Sequence, residues 1–282
     1  YKYHKNGYLE IISDYPKKIG KITSSKFPGL AGYDKFNTKG DELLKFLGLT
    51  IEEPFNDFYT YRGESGEIAV YDYLKTRYEG SQIFRLDEDY KKNNNYDSFQ
   101  YVAPLWHPEE DYLINEHKIH KNNELFKYLG GMYDIDMDGV YIEIKSKDQK
   151  KKNDYEKFGY PITEMAQAIY NAFLGGKKSA MYYVFFTEEQ ENEIKKEMKN
   201  KKVKEFFTLD VEMKKIDIGK EWERSMNGVK FSYDDFKKRI KDTIKVVELA
   251  KQKKLINSND LDPNTLAQIF EKWKIVKNET KE

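Results

Sequence analysis

The side chains best suited to chemistry lie in one stretch, Gly131-Met-Tyr-Asp134-Ile-Asp136-Met-Asp138-Gly139-Val-Tyr-Ile-Glu143-Ile-Lys145. Asp138-Gly139 is a strong two-residue hairpin signal, because both central turn positions want positive φ. After the turn the sequence alternates with period two. Ile142 and Ile144 face one way, and Tyr141, Glu143 and Lys145 face the other. Asp134 and Asp136 share a face of the incoming strand in the same manner. Carboxylates carried to a common edge make a site for a hard divalent cation, which takes oxygen ligands. A lysine beside them can hold an attacking water and offset charge on a phosphoryl oxygen. A surface hairpin with solvated charges would read the same way, so the elements around it have to decide.

A helix over residues 61–74 places Glu67, Val70, Tyr71 and Leu74 on one face. A buried carboxylate costs free energy unless it is paired or bound to metal. Glu67 either serves such a site or is a first-turn acid complementing the helix dipole, the role that suits Glu64. After Pro161 a second helix, residues 163–174, is stopped by Gly175-Gly176. Met165, Ala166, Ile169 and Phe173 form its core face, and Gln167 flanks them in line with Tyr170 and Leu174. Ser179 to Phe186 is an apolar run with the character of a buried strand. Helix, hairpin, helix and strand in this order predict an α/β fold with a mixed central sheet and helices on its faces.

Elsewhere the signals are coarser. Asp41 is a candidate cap for a helix over 42–47, residues 81–86 read as a strand, and 91–95 as a polar loop. His107, His117 and His120 are read as surface or DNA-facing, because no His-Glu-x-x-His and no cysteine completes a zinc site. The lysines from Lys145 to Lys152 form either a solvated face or a track for a phosphodiester backbone. A strand is expected within 205–211, a long amphipathic helix over 233–254, and a last helix over 263–276.

The chain of 282 residues carries 49 basic and 49 acidic side chains, which argues against a uniformly basic coat but allows a local basic groove. The absence of cysteine excludes disulfides, zinc ribbons and iron–sulfur clusters, and an intracellular setting is the default expectation. No apolar run reaches the roughly 18 residues of a membrane span, and no signal-peptide core is visible.

Four stretches in register resemble the YqaJ-like viral recombinase, or phage lambda exonuclease, family of PD-(D/E)xK nucleases. They are Ile22-Thr-Ser-Ser-Lys26-Phe-Pro-Gly with Thr38 and Leu43-Leu44, then Arg62-Gly63-x-x-x-Glu67, Asp134 with Glu143-Ile144-Lys145, and Gln167-Ala-Ile-Tyr170. The likeness covers residues 22 to about 186, with a longer than usual stretch before the hairpin. It implies a restriction-endonuclease-like core over residues 1–186, and a mostly helical extension over 187–282 packed on the same domain. The implied activity is a 5′-to-3′ exonuclease on linear duplex DNA, in phage-type recombination or repair.

By that resemblance Asp134 and Glu143 bind one or two Mg²⁺ or Mn²⁺ ions, helped by Glu67 and the Ile144 carbonyl. Lys145 orients and activates the water, and Gln167 holds Lys145 or that water. Lys26, Arg62 and Lys147 are candidate phosphate contacts. The family's proline-aspartate-glycine is replaced here by Tyr133-Asp134-Ile135, which leaves Asp136 as the alternative ligand. Such enzymes work with a single-strand annealing protein and form homo-oligomeric rings, and a phage enzyme would act in the host cytoplasm. A sequence-specific restriction endonuclease or a non-catalytic DNA-binding protein would share much of this pattern.

Overall fold

The computed structural model describes residues 1–16, 19–50, 56–85, 128–131, 133–175, 177–200, 212–219, 224–226, 229–231 and 233–279. In chain order they form strands β1 (Lys2–Tyr3) and β2 (Tyr8–Glu10), the single turn α1 (Phe27–Leu30), helices α2 (Lys39–Phe46) and α3 (Asp57–Arg77), and strands β3 (Ile83–Arg85), β4 (Ile135–Met137) and β5 (Val140–Asp148). Helices α4 (Gln149–Phe158) and α5 (Ile162–Gly175), strand β6 (Lys178–Phe186), helix α6 (Glu188–Asn200) and strand β7 (Glu212–Gly219) follow. Strands β8 (Arg224–Met226) and β9 (Val229–Phe231), helix α7 (Tyr233–Lys253), strand β10 (Leu255–Asn257) and helix α8 (Pro263–Glu279) complete the chain. The fold is mixed α/β with a helical C-terminal region. The strand expected within 205–211 lies outside the described residues, and β7 begins at Glu212.

The chain divides into two compact units. The first comprises Tyr1–Glu53, Asn122–Gly130 and Asp234–Glu282, and the second Pro54–Lys121 and Gly131–Tyr233. The N-terminal residues therefore group with the C-terminal helices. The cause is pairing at long sequence separation. β2 is antiparallel to β10, with Leu9 opposite Ile256, and Phe27 packs on Phe236 with ring centroids 5.1 Å apart. Phe236, Ile240, Ile244, Val247 and Ala250 of α7 are buried at helical spacing and supply the core face of this unit. The cap of α2 is Thr38, whose Oγ1 accepts from the Asp41 amide at 3.2 Å. Asp41 sits inside the first turn.

The second unit is built on a five-stranded sheet of order β3-β4-β5-β6-β7. β5 and β6 run parallel, and the other pairs are antiparallel. A parallel pair needs a long crossover, which α4 and α5 provide. Gly159, at φ 82°, ends α4, and Pro161 stands before α5. On one face of the sheet Ile142, Ile144, Ala180, Tyr182, Val184 and Phe186 join Ala69, Val70 and Leu74 of α3 and Ile194 of α6 in one core. The opposite face, bearing Glu143, Lys145 and Tyr183, is covered by α5, whose Asn171 and Glu164 bond to Glu143 and Tyr183. All of β6 beyond its first residue is buried, which is why its sequence shows an unbroken apolar run and no alternation.

Candidate active site on the β4–β5 hairpin

Asp138 and Gly139 adopt φ of 51° and 76°, the two positive values a tight hairpin turn demands. Ile135 stands opposite Ile142, and Met137 opposite Val140. Asp136 Oδ1 accepts the Gly139 amide at 2.9 Å, and Asp138 Oδ1 accepts the Gln82 amide at 2.9 Å. These two acids hold the turn and its link to the edge of β3. Burial raises the Asp136 carboxyl, and the Gly139 amide acts against that rise.

Asp134 has a different role. Its amide donates to the Ile142 carbonyl at 3.2 Å, and its Oδ2 accepts from the Ile144 amide at 2.6 Å. The side chain is thereby pinned beside Glu143 and Ile144. Burial pushes the Asp134 carboxyl well above the ordinary carboxylate range, and the nearby charges of Glu143 and Glu67 push it the same way. Lys145 and the Ile144 amide only partly offset this. Of the two aspartates open to choice in the sequence, it is Asp134 that stands with Glu143.

Glu143 is 4% exposed, and both its oxygens are held. Lys145 Nζ donates to Oε1 at 2.6 Å, and Asn171 Nδ2 donates to Oε2 at 3.2 Å. For Lys145, burial works against the charged form, but the carboxylates of Glu143 and Asp134 outweigh it and the ammonium is favoured. The side chain is therefore a charged donor set among acids.

Helix α5 brings two polar residues that sequence reading missed. Asn171 reaches Glu143, while Glu164 pairs with Lys147 and accepts the Tyr183 hydroxyl at 3.0 Å. Gln167 lies between them in sequence, half-buried, with no hydrogen bond among the described residues. Glu164, Gln167 and Asn171 follow the i, i+3, i+7 spacing of one helix face. The missed signal was a lone amide inside Ala168-Ile-Tyr-Asn171-Ala-Phe-Leu174, since a buried polar group needs a partner.

The remaining predicted residues are scattered. Glu67 is half-buried, 3.9 Å from the Arg85 guanidinium, and its charge is felt at Asp134. Arg62, a candidate phosphate contact from the sequence, is held by other partners. It is buried, bonds Glu191 at 2.5 Å, and lies 5.6 and 5.2 Å from the centroids of the Phe58 and Tyr59 rings. Its charge is spent tying α3 to α6. Lys147 is half-buried in its pair with Glu164, and Lys26 is exposed before α1 in the first unit. His107, His117 and His120 lie outside the described residues.

Among the described residues no three acidic or histidine side chains are grouped, as they stand, to hold a metal ion. The donor chemistry nevertheless fits a hard cation. Asp134 and Glu143 offer carboxylate oxygens only, and burial, with Glu143 and Glu67 nearby, disfavours the charge of Asp134. Lys145 already places one positive charge on Glu143 Oε1, so a cation there would replace it.

No family model matches the chain, and no curated protein does. Among solved structures, an alkaline exonuclease from Laribacter hongkongensis aligns with 83% of this chain and 91% of its own at 12% identity, with a TM-score of 0.44. A likeness at that level says nothing of activity, and the case for chemistry rests on the side chains at the hairpin. No helix among the described residues is long and apolar enough to cross a membrane.

Proposed function

We propose that this chain is a metal-dependent deoxyribonuclease that digests linear duplex DNA from an end, in the 5′-to-3′ direction, in phage-type recombination or repair. The observation that carries the reading is the convergence of Asp134, Glu143 and Lys145 on one hairpin, with Lys145 Nζ 2.6 Å from Glu143. Asp134 and Glu143 would hold Mg²⁺ or Mn²⁺, with Glu67 as a further oxygen donor. Such an ion lowers the pKa of a bound water and offsets charge on the scissile phosphate. Lys145, released from Glu143, donates to the attacking water or to a phosphate oxygen and opposes the charge that develops there. Gln167 has its amide uncommitted among the described residues and is the candidate to orient Lys145 or the water. The water oxygen bonds to phosphorus, one ester P–O bond breaks, and the departing oxygen takes a proton, giving a phosphomonoester and a hydroxyl.

Lys147 and Lys26 are the proposed phosphate contacts, giving salt-dependent, sequence-independent affinity. Arg62 could serve only by leaving Glu191. A single-strand annealing partner, a homo-oligomeric ring and the host cytoplasm belong to the same reading through the family resemblance. The test is digestion of linear and circular duplexes of one sequence, with Mg²⁺ and with EDTA. Loss of the linear form alone, only with metal, is the expected result. Cutting of both forms would replace the exonuclease by an endonuclease. Cutting of neither would leave a DNA-binding protein without hydrolysis.

A further inference from the structure

We infer that Asn171 is a positioning residue that fixes which oxygen of Glu143 is offered to a divalent cation, and so favours Mg²⁺ or Mn²⁺ over Ca²⁺. The inference rests on the nuclease reading above. The two Glu143 oxygens have donors of different kinds. Oε1 is held by Lys145, a long flexible side chain two residues along the same strand, at 2.6 Å. Oε2 is held at 3.2 Å by a short amide on α5, and Asn171 is itself only 4% exposed. Tyr170 and Ala172, its neighbours on the helix, are fully buried, so α5 cannot shift there without opening the core. Gly131 closes the other side. A Cβ at that position would stand 2.7 Å from Asn171 Oδ1, so bare backbone is what makes room for the amide.

These contacts make the carboxylate asymmetric. Lys145 can give up Oε1, because an ammonium on a flexible stem finds other acceptors, whereas the tie between Oε2 and a rigid helix persists. A carboxylate held by one oxygen in this way offers the other singly and resists two-oxygen chelation. Mg²⁺ demands compact octahedral geometry, whereas Ca²⁺ takes six to eight oxygens and readily accepts both from one carboxylate. Groups that orient metal-binding side chains typically change metal affinity about 10- to 100-fold when removed.

The test is calorimetric titration of the full chain with Mn²⁺ and with Ca²⁺, beside thermal unfolding, for the wild type and Asn171→Leu. The expected result is wild-type preference for Mn²⁺, and in Asn171→Leu at least about a tenfold loss of Mn²⁺ affinity with a much smaller change for Ca²⁺. Asn171→Ser, which keeps a donor, should recover part of the ratio. If Asn171→Leu does not fold, Gly131→Ala gives the second measurement, because it displaces the amide without removing it and should lower the same ratio. An unchanged Mn²⁺/Ca²⁺ ratio in a folded variant overturns the inference and leaves the nuclease reading standing. Failure of the wild type to bind either ion, together with no cleavage of DNA, overturns both.

Discussion

Asp134→Asn should make the protein more stable and inactive at once. The substitution keeps an oxygen acceptor for the Ile144 amide, which lies 2.6 Å from Oδ2, and removes a charge that burial, Glu143 and Glu67 all disfavour. The sign follows from proton linkage. A carboxyl raised in the native state binds more protons there than in the unfolded chain, where it titrates near about 3.9. Wild-type stability therefore falls as pH rises from that value through the raised native one, and the penalty is complete above it. The asparagine variant lacks this fall. Its advantage should be absent below about pH 4 and grow as pH rises above that value. Each 1 kcal/mol of that advantage would raise Tm by about 2–4 °C in a unit of this size. The assay is thermal unfolding in EDTA at pH 3.5 and pH 7.5 for both proteins. Adding Mg²⁺ should then raise the wild-type Tm, by about 2.7 kcal/mol of linkage at a hundred times Kd, and leave the variant unmoved. A variant less stable than wild type at pH 7.5, or an advantage independent of pH, would show that Asp134 is not carrying uncompensated charge.

Lys145→Met should lower cleavage about 10²- to 10³-fold while retaining binding to duplex DNA, measured by single-turnover digestion and gel shift. Normal turnover would remove Lys145 from the mechanism. Glu67→Gln should weaken metal-dependent cleavage at least about tenfold, read as the Mg²⁺ concentration for half-maximal rate. Wild-type behaviour would leave Glu67 as a mid-helix acid beside Arg85. Gly66→Ala should destabilise, because its Cβ would fall 1.9 Å from Ser146 Oγ, and overpacking costs about 1–3 kcal/mol against a helix-propensity gain of about 1 kcal/mol. Adding Ser146→Ala should recover most of the loss in urea unfolding, and independent effects of the two changes would refute the contact.

Period and turn chemistry are local, so sequence alone specified the hairpin. Asp138-Gly139 is a strong positive-φ turn signal, and alternation from Val140 put Glu143 and Lys145 on one face. The helices α3, α5 and α7 and the buried strand β6 were legible for the same reason, each having one apolar face or run long enough to count. The short strands β1, β2 and β10 were not, since two or three residues carry no period and are held by partners from the far end of the chain. Among the acids of the hairpin stretch, sequence could not separate Asp134 from Asp136, because both sit on one face. In the fold Asp136 accepts the Gly139 amide of its own turn, whereas Asp134 accepts the Ile144 amide and feels the charge of Glu143. It likewise could not see that Arg62 would be neutralised by Glu191, or that Asn171 would meet Glu143, 28 residues away. Residue types and spacing determined which groups could do chemistry. Which of them met was decided by the packing of α3, α5 and α6 on the sheet, because a charge takes its role from the partners that burial leaves it.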